Sequence, residues 1–169
     1  MEPSITDPKN SIAVHFMEAL KSIESGAEPD RLIALFSDDA QLVNLTKQHL
    51  HYPDTSENVP LSAALFWKNY LRAFNHIETH FTNVITTGDE SAVVLEWRAA
   101  GSMPNALPIE FNGISILELE AADSQKALPL IKKLKIYYDS AAFLPHARRA
   151  EKNFSESVGL PEITNQATS

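Results

Sequence analysis

Polar side chains with chemistry of their own stand close together at residues 49–57 of this sequence. His49 and His51 are two residues apart, with Asp54 and Glu57 nearby. A metal site needs further convergent ligands, and polar loops often hold such residues, so we predict neither a metal nor any other cofactor. Because an imidazole titrates near neutral pH, His51 is a candidate acid or base, and a hydrated loop side chain is the alternative.

A second set of candidates, Asn44, Trp97 and Ser115, lies in segments with the alternation of strands. An amide and a hydroxyl there can orient a polar group of a ligand, or they can bond to each other, to backbone or to water. An indole can stack on a flat ligand or fill the core. We expect Asp139, after the last strand, to cap a turn rather than to catalyse.

The spacing of apolar residues changes from helical to alternating along the chain, and this predicts the elements that position these residues. Apolar residues recur at helical spacing from Ile12 to Ile23, between a capping Asp7 and a terminating Gly26. A short second helix follows Pro29. The remaining expected elements are a helix over 62–77 and strands over 40–45, 80–87, 92–101, 109–121 and 130–139.

Composition excludes several classes of function. The 169 residues include no Cys, which removes disulfides and thiolate sites, and the net charge of −8 argues against nucleic acid as a partner. No apolar run is long enough to span a membrane, and the first residues do not resemble a signal peptide. We therefore expect a cytoplasmic protein.

Three segments resemble proteins of the nuclear transport factor 2-like superfamily, in particular SnoaL-like and ketosteroid-isomerase-like domains. They are "FMEALKSIESGAEPDRLIALFSDDAQL" from Phe16, "VVLEWRAAG" at 93–101 and "LKIYYDSAAFL" at 134–144. The resemblance implies an α+β fold, in which a cone-shaped, curved antiparallel sheet wraps around N-terminal helices. It also implies a domain over 8–144, and the polar sequence that follows predicts a partly disordered extension over 145–169.

In such a fold one side of each strand lines a pocket, and the resemblance indicates which side. The residues expected to line the pocket are Phe16, Asn44, Phe66, Leu95, Trp97, Ser115, Leu117 and Tyr138, with His51 at its mouth.

The catalytic groups known in this superfamily are not matched here. Phe16 stands where steroid isomerisation would need a Tyr donor, and Asn44 stands where it would need a carboxylate base, while Ser115 replaces an acidic donor. Other members of the superfamily use an Arg held between two Asp side chains. This triad is also missing, because Ala100, two residues after Arg98, stands at the position of one Asp. Whether the protein is an enzyme therefore stays open.

Two classes of function remain from the sequence. The first is a pocket domain that binds or transforms a small, largely apolar metabolite by isomerisation, cyclisation or water addition. The second is a non-catalytic module that binds a ligand or dimerises.

Apolar residues also alternate onto the opposite face of the sheet. Val94, Ile114 and Ile116 share that face, and Glu118 marks its edge. A contiguous apolar patch is usually covered, so we expect a homodimer that packs sheet against sheet. Coverage by the chain's own C-terminal segment is the alternative.

Overall fold

Three helices pack on one side of the sheet. In a computed structural model, which describes residues 8–45, 60–89, 91–121 and 123–143, these are α1 (Pro8–Glu24), α2 (Asp30–Ile33) and α3 (Ala63–Ala73). The chain leaves α1 at Gly26, whose φ of +98° few side chains tolerate. Ser62 caps α3 by accepting a hydrogen bond from the amide of Leu65 at 3.3 Å.

Five strands form one curved sheet that does not close. They are β1 (Phe36–Asn44), β2 (His76–Thr86), β3 (Ala92–Ser102), β4 (Pro108–Leu119) and β5 (Ile131–Tyr138), in the spatial order β1-β5-β4-β3-β2. The first and last strands in sequence pair in parallel, whereas all other neighbours are antiparallel. The expected α+β cone fold is confirmed.

Three element boundaries differ by about four residues from the sequence prediction: the end of α3, the start of β1 and the start of β2, which was expected at residue 80 and lies at His76. The third helix was expected to reach residue 77, but it ends at Ala73 because Phe74 is extended and Ile77 pairs with Gly101 of β3. The first strand begins at Phe36 rather than at residue 40, because Phe36 pairs with Ile131 of β5. In these places strand pairing overrides the local pattern.

Apolar side chains pack between helices and sheet in two clusters. The larger cluster joins α1 and α3 to the centre of the sheet, and Phe16 is 1% exposed within it. The smaller one surrounds Trp97 and Phe111 on β3 and β4. Among the described helices, none is long and apolar enough to cross a membrane.

A short turn (Ser140–Phe143) follows β5 and ends the described residues. The expected extension over 145–169 lies outside them, so the domain division stays a prediction.

Candidate binding site on the inner face of the sheet

Strand alternation divides the sheet into an inner face, which carries the helices, and an outer face. Leu95 pairs with Ser115, and Val93 pairs with Leu117, so these side chains share the inner face. Leu95 and Leu117 are completely buried in the larger cluster. They form the apolar floor of the inner face.

Trp97 is held on this face by a hydrogen bond, and its ring occupies the space beside Gly113, which has no side chain. Its indole Nε1–H donates to Oγ of Ser115 at 2.9 Å, and both residues are buried. Its ring lies over Gly113, the cross-strand partner, where an added Cβ would collide with the indole and lie 2.7 Å from the carbonyl oxygen of Tyr137. Ser115, a polar residue predicted within a strand, thus holds the indole of Trp97 in place.

Asn44 and Tyr138 meet at the ends of β1 and β5. The parallel pairing sets Asn44 opposite Ile136, and its Nδ2 donates to the hydroxyl of Tyr138 at 3.2 Å. Both side chains are half-buried. They form a polar pair at the edge of an otherwise apolar surface.

The two predicted phenylalanines lie on the helices. Phe16 is enclosed by the rings of Phe36, Trp67 and Phe81, at centroid distances of 6.4, 6.0 and 6.5 Å. Phe66 is half-buried, and its ring meets Trp67 edge-on at 5.0 Å. His51 lies outside the described residues.

The turn after β5 covers the end of the inner face near Trp97. The ring of Phe143 packs against Phe111 at 4.9 Å, Tyr138 at 5.3 Å and Phe74 at 6.5 Å. Asp139 caps this turn, as predicted, by accepting a hydrogen bond from the amide of Ala141. A molecule that used this end of the inner face would have to displace Phe143.

A carboxylate that sequence reasoning missed joins three elements. Glu24 at the end of α1 accepts hydrogen bonds from the hydroxyl of Tyr70 at 2.6 Å, and from the amide and hydroxyl of Thr79 at 2.9 and 2.6 Å. Burial, together with the nearby carboxylate, raises the pKa of Tyr70 far above its usual value. Helical periodicity marks apolar faces only, so it gave no signal for this contact.

The outer face carries a shallow groove of about 490 Å³. Its lining includes Glu96, Arg98, Asn112, Ile114, Tyr137 and Asp139. Arg98 forms an ion pair with Glu110 on this face, away from the helices. Within the described ranges, no group of three or more His, Asp or Glu side chains could hold a metal ion.

No protein-family model and no curated protein sequence matches the chain. Many solved structures do match in fold. TerC, co-crystallised with polyporic acid, superposes with a TM-score of 0.62 at 8% identity, over 82% of this chain and 97% of its own. An NTF2-like protein from Anabaena variabilis gives 0.61 at 14% identity, over 84% and 97%.

A protein from Jannaschia sp. CCS1 that is named as a SnoaL-like polyketide cyclase gives a TM-score of 0.60 at 11% identity, over 85% of this chain and 94% of its own. Identities this low establish a common fold and leave the activity to the residues of this chain.

Proposed function

We propose that this chain, which has the nuclear transport factor 2-like fold, binds a small, largely apolar molecule between its helices and the inner face of its sheet. One observation carries the proposal. The inner face is apolar apart from a few converging polar groups, chiefly the Trp97–Ser115 pair and the Asn44–Tyr138 pair. Ligand sites of this kind combine an apolar lining with a small number of orienting polar groups.

The types of polar group favour binding over proton transfer. Among the described residues, the four side chains of these two pairs carry hydroxyls, an amide and an indole, and they include neither a carboxylate nor an imidazole, the groups that most often transfer protons in enzymes. The partly buried carboxylate, Glu24, already accepts three hydrogen bonds from Tyr70 and Thr79. A non-catalytic ligand-binding module therefore accounts for the described residues more simply than an acid–base enzyme does.

Tryptophan fluorescence tests this function directly. The chain has two tryptophans, and both Trp67 and Trp97 are buried beside the inner face. We expect saturable changes in their emission when flat apolar probes such as fluorene are titrated. Ser115→Ala and Asn44→Leu should change the affinity, whereas Asn112→Leu, a matched amide on the outer face, should not. The proposal would be refuted if no probe in a panel of such molecules bound saturably.

We also propose that the protein forms a homodimer through an outer strip, defined here as Ile85, Val94, Ile114, Ile116 and Tyr137. Ile85, Ile114 and Tyr137 are 45%, 39% and 43% exposed in the single chain. The strip is continuous, because Ile85 pairs with Val94, Val94 with Ile116, and Ile114 with Tyr137. Ion pairs bound it on two sides: Lys135 with Glu118, and Arg98 with Glu110.

A further inference from the structure

The indole N–H of Trp67 is buried without a hydrogen-bond partner. Trp67 lies in α3 and is 2% exposed, and its Nε1 is the only fully enclosed side-chain nitrogen or oxygen without a partner in the described residues. Trp97, by contrast, donates to Ser115. A buried indole N–H normally finds an acceptor, because leaving it unpaired forfeits the hydrogen bond that it makes with water in the unfolded chain.

The rings around Trp67 supply no acceptor for this donor. Its aromatic neighbours are Phe16, Phe36, Phe66 and Tyr70, with centroids 5.0 to 6.3 Å away. Of these, Tyr70 alone has a polar atom; its hydroxyl donates to Glu24, and no hydrogen bond joins its oxygen to the Trp67 N–H. A buried water needs two to four polar partners, so this ring of aromatic side chains would hold one poorly.

One of these rings lies at the boundary with solvent. Phe66 is half-buried and meets Trp67 edge-on, and Leu65 beside it is 45% exposed. Partly exposed side chains change rotamer quickly compared with ligand binding. Phe16 and Phe36, on other sides of Trp67, are buried, so a ligand would approach the indole from the side of Phe66.

We propose that Trp67 Nε1–H is the specific hydrogen-bond donor for the ligand, and that the ligand is a flat, apolar molecule bearing a carbonyl oxygen. The flat apolar frame matches the surrounding rings. The carbonyl matches the donor because it accepts a hydrogen bond and brings no proton of its own. A hydroxyl would bring a proton that needs an acceptor of its own among largely apolar rings.

Because this proposal rests on the proposed binding function, the test separates the two. Fluorenone, fluorenol and fluorene share one flat frame and carry a carbonyl, a hydroxyl and no oxygen, respectively. We expect the wild-type protein to bind fluorenone about fivefold more tightly than fluorene, the worth of one typical hydrogen bond. Fluorenol should gain less, since its proton stays unpaired.

Trp67→Phe should abolish the preference for fluorenone, so that the ratio of the affinities for fluorenone and fluorene falls to about one. Phe36→Leu is the packing control: it alters a ring beside Trp67 without removing a donor. It should weaken both ligands alike and keep their ratio. Should Phe36→Leu also abolish the ratio, the preference would come from packing, and the assignment of Trp67 would be wrong.

Indole resonances of the wild-type protein give a readout that does not depend on a variant. The two tryptophans yield two N–H cross-peaks in a nitrogen–proton correlation spectrum. We expect fluorenone to move the Trp67 proton downfield and fluorene to leave it without such a shift. Equal binding of the two ligands, or a Trp67 proton already bonded to water and unmoved by fluorenone, would overturn the inference alone. Failure of all three ligands to bind would instead refute the proposed function.

Discussion

Gly113 lets the ring of Trp97 lie flat across β4. A methyl group at this position would collide with the indole and crowd the carbonyl of Tyr137. We predict that Gly113→Ala lowers the free energy of unfolding by about 1–3 kcal/mol, the usual cost of overpacking, and alters tryptophan emission.

Gly88→Ala is the matched control for this change. A methyl group there meets no atom within 4 Å, and the backbone of Gly88 does not have a positive φ. Urea unfolding followed by circular dichroism measures both variants. If Gly113→Ala unfolded like Gly88→Ala, the ring of Trp97 would not be held against β4 as described.

The buried Tyr70 predicts a specific response to alkaline pH. Its pKa is raised in the folded protein, mainly by burial and then by Glu24, so the folded state keeps a proton that the unfolded chain releases above the ordinary tyrosine pKa of about 10. The stability due to this group is therefore fully present below that pH, and it declines as the pH rises towards the folded pKa.

Tyr70→Phe isolates this contribution. At neutral pH the variant should lose about 1 kcal/mol, since Glu24 keeps both hydrogen bonds from Thr79. Between pH 9 and about 11 its stability should fall less steeply than that of the wild type, which urea titrations at several pH values would reveal. Parallel slopes for the two proteins would contradict the burial of the Tyr70 hydroxyl.

At the scale of residues, the sequence predicted part of the candidate site. Alternation identified Ser115 and Asn44 as polar residues within strands, and the resemblance gave them an inward direction. Their partners depend on register between distant strands, so the bonds to Trp97 and Tyr138 could not be predicted. Trp67 was missed for another reason: it was not assigned to the apolar side of the third helix, and helical spacing does not show whether an indole N–H finds an acceptor.

At the scale of elements, the sequence predicted the two antiparallel strands β3 and β4 within two residues at either end. Their alternation is regular and turn residues flank them. It failed at the end of α3, where Tyr70, Phe74 and Ile77 continue helical spacing although Ile77 already belongs to β2. Apolar residues in so short a segment fit both the helical and the alternating spacing, and the pairing of β2 with β3 decides between helix and strand.

The turn after β5 gives a prediction of its own. Phe143→Ala removes the ring that packs on Phe74, Phe111 and Tyr138, and so opens that end of the inner face. The half-buried ring should cost about 1–3 kcal/mol of stability, less than a fully buried one. Affinity for fluorene should rise, because the ligand no longer competes with Phe143.

Ala141→Ser, an exposed change in the same turn, is the control and should leave both quantities unaltered. Calorimetric titration measures the affinities. Weaker binding of fluorene by Phe143→Ala would mean that Phe143 supports the ligand rather than excludes it.

The proposed dimer makes a prediction for the whole molecule. Ile116 lies at the centre of the outer strip, between Val94 and Lys135 in the register. Light scattering should give about twice the 18.7 kDa chain mass for the wild type. Ile116→Lys should reduce the mass to that of one chain, because an unpaired charge buried at the interface costs several kcal/mol.

Val14→Lys introduces the same charge at a site that is 45% exposed on α1, away from the strip, and should leave the dimer intact. A wild-type mass of one chain that does not change with concentration would exclude a stable dimer. The outer strip would then be covered in some other way, such as by the chain's own C-terminal segment.

The parallel pairing of β1 with β5 also sets the order in which the protein can be completed on the ribosome. Ser37 reaches across to the carbonyl of Ile131, 94 residues later in the chain. The growing chain therefore holds β1 without its neighbour until β5 has been synthesised and has left the exit tunnel. Contacts so distant in sequence slow folding, and an unpaired strand edge is prone to aggregate meanwhile. Nascent chains that stop before residue 131 should accordingly depend on chaperones more than the full-length protein does.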